Sequence, residues 1–428
     1  MNTRASLRKG WCPGALLPMP AGDGLLVRVR VAARPLALDC MEALADCAAQ
    51  FGNGGLEISS RANLQLRGIR EAALLDLQRR LDELGLLDAD AAVESARNIV
   101  ASPLSDVDAA AIVDVGLIVA ALEERLRNDL SLRRLPPKFG LLVDGGGALP
   151  LGDVETDIRF EAFHGEDGPR LAVRLAGAAS VAAVCVPRHV ADVAAALARA
   201  LLAEADDRGD APLRMRALVA QRGAVAIFAA AGLAPLTSPP APRLAASLGD
   251  VLGLHAVGAR FCVGASVPLG RINAGDLRAV VQEAQRCSAI DIRLTPWRAF
   301  LVTGLDRSGA ENLAATLAAL GLILDPGDRR LAIVACTGGP ACANAPRPLQ
   351  AEALEFSRFV RPGRGIVVHV SGCAKGCAHG RAAPLTLIAR AAGYDLVVNG
   401  RASDTPSRLA LSKDEVVSVL TQYSREFH

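Results

Sequence analysis

Hydrophobic and polar residues alternate along the chain with two different periods, which predict a mixture of strands and helices. Short apolar runs such as residues 25–31 (LLVRVRV) and 366–370 (IVVHV) have the length and composition of strands. Alanine- and leucine-rich stretches with helical character, such as residues 38–49 and 276–286, lie between such runs. This arrangement predicts an α+β fold with mixed layers.

The same succession of segments occurs twice, which predicts an internally duplicated fold. Residues 56–58 (LEI) resemble residues 290–292 (IDI), and at equal spacing residues 99–102 (IVAS) resemble residues 333–336 (IVAC). Residues 64–69 also align with 300–305, and residues 142–146 with 368–372. In this alignment Ser102 of the first copy stands where Cys336 stands in the second, so we expect the second copy alone to have the metal-binding role.

A proline-rich segment separates the two copies. Residues 232–243 (GLAPLTSPPAPR) cannot continue a helix or a central strand, because proline lacks the backbone N–H that both require. We therefore place one half of the protein before this linker, at residues 1–231, and the other after it, at residues 244–428.

Composition narrows the possible classes of function. The chain has 428 residues and is 51% hydrophobic, which is enough for two or three packed domains. A net charge of +2 and an aromatic content of 3% argue against nucleic-acid binding. Its apolar stretches are too short to span a bilayer and its N-terminus lacks an apolar signal core, so we expect a cytoplasmic protein in a reducing compartment.

Four cysteines near the C-terminal end form two close pairs. Cys336 and Cys342 follow the strand-like run at 331–335, and Cys373 and Cys377 follow the run at 366–370. These spacings favour an iron–sulfur cluster over structural zinc, whose ligands usually come as C-x2-4-C pairs. Four buried, reduced thiols are the remaining alternative. The other cysteines are scattered and fit core positions, including Cys12 in a Cys-Pro-Gly turn.

Cationic side chains recur on strand-like segments of the first copy. Strict alternation places Arg61, Asn63, Gln65 and Arg67 on one face of a strand, and it places Arg28 and Arg30 together in the same way. A solvated outer face of a sheet would give the same pattern. Further cations at Arg97, beside Asn98, and at Lys138 favour a binding face, whose ligand would be a large polyanion with many carboxylates.

Together these residues resemble the sirohaem-dependent nitrite and sulfite reductase superfamily. The matching pieces are Arg61, Gln65 and Arg67, the Arg97-Asn98 pair, Lys138-Phe139 and the four cysteines. The resemblance implies a [4Fe-4S] cluster held by Cys336, Cys342, Cys373 and Cys377, the last of which would also bridge to a sirohaem iron. It further implies ferredoxin-like half-domains at 1–75 and 244–325, a tetrapyrrole-binding α+β domain at 76–231, the linker at 232–243 and a cluster-binding α+β domain at 326–428.

Within that superfamily the chain looks most like the precorrin-3B synthases of aerobic cobalamin biosynthesis. The segments that carry this likeness are residues 10–14 (GWCPG), 22–25 (GDGL), 371–379 (SGCAKGCAH) and 400–406 (GRASDTP). Two departures from the reductases agree with it, because Gly140 stands where they have a second lysine and Arg67 where they have a histidine.

The closer likeness implies an oxidoreductase that acts on precorrin-3A with dioxygen. The implied reaction hydroxylates the C20 meso carbon and closes a γ-lactone, with electrons from a ferredoxin or an NAD(P)H-dependent reductase. The substrate would bind to the set Arg28, Arg30, Arg61, Asn63, Gln65, Arg67, Arg97 and Lys138.

The family resemblance also implies a mononuclear non-haem iron, for which two histidines and a carboxylate are the usual ligands. The six histidines of this chain form no evident triad in the sequence, and each fits a structural or surface role. Catalytic residues are therefore not assigned from the sequence. Two other functions remain open: a sirohaem-dependent nitrite or sulfite reductase, and a tetrapyrrole or cluster carrier without catalysis.

Overall fold

The computed structural model describes residues 12–31, 34–206, 213–362 and 365–426. Its strands are β1 (Met19–Ala21), β2 (Gly24–Val29), β3 (Leu36–Ala37), β4 (Gly55–Ile58), β5 (Leu64–Ile69), β6 (Ile99–Ala101), β7 (Leu141–Asp144), β8 (Ile158–Gly165), β9 (Gly168–Leu175), β10 (Ala183–Cys185), β11 (Gly253–Val257), β12 (Arg260–Ser266), β13 (Arg271–Asn273), β14 (Asp291–Leu294), β15 (Ala299–Leu305), β16 (Ile333–Ala335), β17 (Val368–Ser371), β18 (Ala383–Arg390), β19 (Gly393–Gly400) and β20 (Arg408–Leu411). Its α-helices are α1 (Leu38–Phe51), α2 (Leu74–Glu83), α3 (Ala91–Ala96), α4 (Gly116–Asn128), α5 (Val190–Asp206), α6 (Met215–Arg222), α7 (Ala224–Ala230), α8 (Ala274–Arg286), α9 (Arg307–Ala319), α10 (Leu349–Ser357) and α11 (Lys413–Glu426).

The strands form four five-stranded sheets, and the predicted α+β class is confirmed. Two sheets are antiparallel, with the orders β1-β2-β5-β4-β13 and β11-β12-β15-β14-β3. The other two are mixed, with the orders β10-β9-β8-β7-β6 and β16-β17-β18-β19-β20. Each mixed sheet pairs its first three strands along the chain in parallel and the rest antiparallel, so the two have the same topology.

The two copies exchange one edge strand each, which the sequence did not predict. Strand β13 of the second copy pairs with β4 of the first, with Ile272 opposite Leu56. Strand β3 of the first copy pairs with β14 of the second, with Leu36 opposite Ile292. Each antiparallel sheet is therefore completed by the other copy. The residue limits predicted from the sequence for the half-domains, the linker and the two α+β domains stay a prediction.

One continuous hydrophobic core joins the two antiparallel sheets and their helices. Helix α1 buries Leu44, Ala45 and Ala48 at helical spacing, and helix α8 buries Val280 and Val281 against it. The same cluster contains the inward-facing residues of β2, β5, β12 and β15. No helix in the described part of the chain has both the length and the apolar character to cross a membrane.

Strand register shows which residues of the two copies correspond. Ile58 pairs with Leu64 at the end of the β4–β5 hairpin, and Leu294 pairs with Phe300 at the end of the β14–β15 hairpin. Ile58 therefore corresponds to Leu294 and not to Ile292, so the sequence alignment of 56–58 with 290–292 is wrong. The two hairpins also share a left-handed residue in the turn, which is Ala62 (φ 55°) in the first and Arg298 (φ 58°) in the second.

Replacing Leu44 by alanine tests the shared core. Leu44 is fully buried in the cluster that both copies build, so Leu44→Ala should lower the free energy of unfolding by about 2–5 kcal/mol. Leu75→Ala is the control, because Leu75 is 73% exposed, and it should change stability by less than about 0.5 kcal/mol. Hydrogen exchange should show loss of protection in both α1 and α8. Loss in the first copy alone would contradict a shared core.

Candidate functional site

Three arginines of the first copy converge beside Cys12, at what we call the cationic face (Arg28, Arg30 and Arg61). Arg28 lies opposite Gln65 in the β2–β5 register and donates from Nη2 to its Oε1 at 3.4 Å. From Nη1, Arg28 donates to Cys12 Sγ at 2.8 Å. Buried Nε atoms of Arg28 and Arg30, and Nη1 of Arg61, have no hydrogen-bond partner among the described residues.

Among the described residues, no carboxylate forms an ion pair with Arg28, Arg30 or Arg61, although Glu94 lies near Arg30 and Asp157 near Arg61. Burial lowers the pKa of Arg30, and repulsion from Arg28 adds to this effect. Burial likewise lowers the pKa of Arg61, beside the positive charge of Arg214. Buried cations with unpaired donors are costly, so this face is suited to bind an anion with several acceptor oxygens. The arginines of this face are buried or half-buried, so the face is not the solvated outer face that the alternating pattern also allowed.

Cys12 has an altered environment that the sequence did not reveal. Burial acts to raise the pKa of its thiol, but Arg28, Arg30 and Arg61 outweigh burial and the net effect lowers that pKa. Glu94 holds the segment in place by accepting backbone N–H bonds from Ala15 and from Leu16, the latter at 3.1 Å. The cysteine expected to be an ordinary turn residue is thus part of the cationic face.

Gly140 makes room for Arg61. A Cβ atom at Gly140 would lie 2.8 Å from Nη1 of Arg61, so a larger residue there would displace the guanidinium group. The second terminal nitrogen of Arg61, Nη2, donates to the backbone oxygen of Glu155 at 3.5 Å. Asp157 accepts the backbone N–H of Gly140 at 2.9 Å and is paired with Arg214, which fixes this corner of the face.

Asparagine side chains connect the cationic face to the neighbouring loops. Asn98 accepts a hydrogen bond from Arg30 and donates to the backbone oxygen of Pro137 at 3.0 Å. That contact holds the loop that carries Lys138, whose own side chain is exposed. Asn63 is buried and accepts the backbone N–H of Val31 at 3.3 Å, so it supports the strand that ends beside Arg30.

Two of the arginines expected to bind substrate are instead paired with carboxylates. Arg97 donates to Asp88 at 2.9 Å and to Glu123 at 2.7 Å, and it also donates to the backbone oxygen of Arg30 at 3.1 Å. Arg67 forms a two-bond pair with Asp23, at 3.1 and 3.0 Å. Both guanidinium groups are buried with these partners, so they position the cationic face and do not extend it.

The four cysteines lie on two loops that follow β16 and β17. Strands β16 and β17 are adjacent and parallel, so the loops at their C-terminal ends emerge side by side. The Cys336 sulfur accepts the backbone N–H of Gly372 at 3.0 Å, which joins the two loops. Burial, with a smaller effect from the nearby Cys342 and Cys377, raises the pKa of the Cys336 thiol to about 11 despite that N–H bond.

The first copy contains the same arrangement with a serine in place of the cysteine. Ser102 stands after β6 as Cys336 stands after β16, and its Oγ accepts the backbone N–H of Gly145 at 2.9 Å. The backbone N–H of Ser102 binds Val143 at 3.1 Å, as that of Cys336 binds Val370 at 3.0 Å. The predicted match of Ser102 with Cys336 is therefore confirmed in the structure.

The cysteine loops contact the first copy near the cationic face. The backbone N–H of Gly22, at the β1–β2 turn, donates to the oxygen of Ala341 at 2.9 Å, and a Cβ at Gly22 would lie only 2.4 Å from the oxygen of Pro340. Arg381, beyond the second loop, pairs with Glu155 at 3.3 Å, and Glu155 also binds Arg61. The structure therefore brings the predicted cluster loops and part of the predicted binding face together.

The four cysteines give the candidate metal site a donor set of thiols on two adjacent loops. Among the residues that the structure describes, no three His, Cys, Asp or Glu side chains are grouped tightly enough to hold a single ion. The backbone N–H bond to the Cys336 sulfur is of the kind that stabilises iron–sulfur clusters, so the chemistry of these residues is compatible with such a cluster.

Comparison with known proteins identifies the family. Residues 17–84 and 255–320 match the nitrite/sulfite reductase ferredoxin-like half domain, one segment in each copy. The chain is 34% identical over 411 residues to a precorrin-3B synthase from Sinorhizobium sp, which covers 95% of this chain and 86% of that protein. This chain belongs to the precorrin-3B synthase family. The predicted ferredoxin-like half-domains and the family resemblance are both confirmed.

More distant relatives of this precorrin-3B synthase family member are reductases. A ferredoxin–nitrite reductase from Synechococcus elongatus is 24% identical over 85% of the chain and 76% of its own length. A ferredoxin sulfite reductase from Mycolicibacterium paratuberculosis is 25% identical over 85% of the chain and 69% of its own length. The solved structure of the Mycobacterium tuberculosis NirA protein has a TM-score of 0.77 with 22% identity, covering 94% of this chain and 80% of that one, and shows the shared fold.

Replacing Arg97 by alanine should act on stability, because Asp88 would remain buried without its cation and Glu123 would keep only the exposed Arg34, at 3.6 Å. Asp88 and Glu123 are 7% and 9% exposed, so Arg97→Ala should lower the free energy of unfolding by about 3–5 kcal/mol. Arg79→Ala is the control, since the side chains of Arg79 and its partner Asp76 are 77% and 52% exposed, and it should change little. Denaturant titration measures both. Unchanged stability of Arg97→Ala would mean that these carboxylates do not depend on it.

Proposed function

We propose that this protein is a precorrin-3B synthase, an oxidoreductase of aerobic cobalamin biosynthesis. The reaction would convert precorrin-3A by hydroxylation at C20 and formation of a γ-lactone, with one oxygen atom from dioxygen entering the product. Family membership supports the assignment of an oxidoreductase in this pathway. The single structural observation that carries the proposal is the set of unpaired, buried guanidinium N–H groups on the cationic face.

The cationic face is the proposed site for substrate carboxylates. Precorrin-3A is a tetrapyrrole with many carboxylate groups, and guanidinium groups bind carboxylates through two parallel hydrogen bonds. Arg28, Arg30 and Arg61 each have a donor that no described residue accepts. Lys138, on the adjoining loop, is an exposed cation that is available to a carboxylate at the edge of the site. Gln65 and Asn63 orient this face, while Arg67 and Arg97 hold it through their ion pairs.

The proposed cofactor is a [4Fe-4S] cluster held by Cys336, Cys342, Cys373 and Cys377. When bound, such a cluster supplies single electrons from an external donor to the site of oxygen chemistry. We propose a ferredoxin or an NAD(P)H-dependent reductase as that donor, a role supported by the ferredoxin-dependent relatives. The described residues offer no set of three ligands around one point, so the proposal assigns no side chain to a mononuclear non-haem iron.

The position of Gly140 supports the synthase over a sirohaem-dependent reductase. The reductases that this chain resembles carry a lysine at the place of Gly140, whereas here a Cβ would press within 2.8 Å of Arg61. Nη1 of Arg61 takes up this space, and a lysine could not be added without moving it. The chain thus has one ammonium group fewer than the reductases that it resembles would have for proton delivery.

Arginine-to-alanine substitution tests the binding face. Arg61→Ala should weaken precorrin-3A binding about ten- to a hundredfold, because a charged hydrogen bond is lost, while the iron and sulfide content stays unchanged. Arg61→Lys should restore only part of the affinity, since an ammonium group lacks the two-bond fork. Affinity is measured by anaerobic absorbance titration of the tetrapyrrole. Arg79→Ala, far out on the surface, is the matched control and should bind as the unaltered protein does.

Two results would contradict the proposal. Unaltered affinity of Arg61→Ala would show that the cationic face does not hold the substrate. Sharp sirohaem bands in the anaerobically purified protein, with reduction of nitrite or sulfite and no turnover of precorrin-3A, would make the face a prosthetic-group site and the protein a reductase.

A further inference from the structure

A buried histidine beneath the second cysteine loop has no hydrogen-bond partner in the described part of the chain. His369 is fully buried in β17, and neither of its ring nitrogens has a hydrogen-bond partner among the described residues. A neutral imidazole carries one N–H donor and one acceptor nitrogen. Leaving both unpaired in a protein interior is costly, so the ring is placed for a group that is not part of the polypeptide.

The ring of His369 lies under the loop that carries Cys373 and Cys377. Its strand neighbours Val368 and Val370 point into the hydrophobic core of the sheet, so the imidazole points to the opposite side. Gly376 of the cysteine loop packs on the ring, because a Cβ at that glycine would lie 3.5 Å from Cε1 of His369. The histidine is therefore in contact with the loop between two of the predicted ligands.

The first copy shows that the fold does not require a histidine at this position. In the β6–β7–β8 register Leu142 lies between Val100 and Arg159, as His369 lies between Val334 and Thr386 in β16–β17–β18. Leu142 therefore corresponds to His369, and the sequence alignment of residues 142–146 with 368–372 is wrong by one residue. Leu142 is fully buried and packs in an apolar cluster with Val100 and Leu151. The equivalent position is leucine in the sheet of the copy that has Ser102 and histidine in the sheet of the copy that has Cys336. The imidazole therefore occurs in the copy that has the cysteines.

The surroundings of His369 contain cations and a second imidazole. Arg298 lies nearby and donates to the backbone oxygen of Ala378 at 3.0 Å, and the ring of His379 is 5.8 Å away, centroid to centroid. Burial, together with the nearby His379 and Arg298, lowers the pKa of His369 to about 4. The ring is therefore neutral near pH 7 and retains one N–H to donate. A cluster with thiolate and sulfide acceptors meets this need.

We propose that His369 donates a ring N–H hydrogen bond to the [4Fe-4S] cluster and thereby raises its reduction potential. The inference rests on the cluster put forward under the proposed function. A hydrogen bond to a cluster sulfur stabilises the reduced, more negative state, and Gly372 already supplies one such donor to Cys336. Histidine 369 is thus a positioning and tuning residue, not a group that touches precorrin-3A.

Replacing His369 by leucine tests this role, since leucine is the residue that the first copy uses at the same place. The cluster-loaded His369→Leu protein should hold the same iron and sulfide as the unaltered protein but have a more negative midpoint potential in an anaerobic titration followed by electron paramagnetic resonance. His369→Asn, which keeps an N–H donor, should restore part of the difference. His255→Leu is the control, because His255 already binds the backbone oxygen of Val251 at 3.1 Å.

A second measurement needs no substitution. Electron spin echo envelope modulation of the reduced, cluster-loaded protein should show a coupling between the cluster's electron spin and a histidine ring nitrogen. This coupling should change when only the histidines carry nitrogen-15. An unchanged potential in a fully loaded His369→Leu protein, or the absence of histidine coupling in the unaltered protein, would overturn the inference while leaving the cluster in place. Absence of iron and sulfide from the unaltered protein would overturn the cluster proposal itself.

Discussion

The exchange of edge strands between the two copies is the constraint on which the rest of the structure depends. Strand β13 completes the first antiparallel sheet and β3 completes the second, so neither sheet has its full set of strands without the other copy. The hydrophobic core beneath them is continuous across both copies. This arrangement fixes the β1–β2 turn against the first cysteine loop, where Gly22 binds Ala341, and it holds the cationic face at a set distance from the cysteines. The cationic face and the cysteine loops therefore belong to different copies, which pack through one continuous core.

Divergence between the copies explains how one fold provides two chemical roles. Equivalent positions carry Ser102 and Cys336, Leu142 and His369, and Ala62 and Arg298. At these positions the second copy has a thiol, an imidazole and a guanidinium group, and the first copy has a hydroxyl group and two apolar side chains. The first copy in turn has the arginines with unpaired donors. Function thus arises from a few side chains on a duplicated scaffold, and the scaffold alone does not determine it.

The sequence predicted much of the fold because its signals are local or repeated. The α+β class, the duplication and the match of Ser102 with Cys336 follow from strand-like runs and their spacing. The strand exchange could not be predicted in this way, because two- and three-residue strands such as β3 and β13 carry no periodic signal and pair across the whole chain. The misaligned 56–58 segment has a related cause, since short apolar triplets match at more than one register.

The candidate site was predicted only in part, because the fate of a charged side chain depends on distant partners. Arg61 and Arg97 look alike in the sequence, yet Asp88 and Glu123 neutralise Arg97 while Arg61 keeps an unpaired donor. Cys12 gained its significance from arginines that follow it by more than a dozen residues, and nothing in its Cys-Pro-Gly turn indicates that. His369 was considered a structural residue, which is the usual outcome for a single histidine in a strand. Only the three-dimensional structure shows that no described residue forms a hydrogen bond with its ring nitrogens.

The central claim is that the cysteine-bearing copy and the cationic copy together carry out an oxygen-dependent reaction on a carboxylated tetrapyrrole. The most direct measurement is a single turnover of the cluster-loaded protein with precorrin-3A and isotopically labelled dioxygen, followed by mass spectrometry of the tetrapyrrole. The account predicts that the product gains one labelled oxygen atom and that the second atom appears as water. An unlabelled product, or unconverted precorrin-3A, from a fully cluster-loaded protein with a competent electron donor would contradict it.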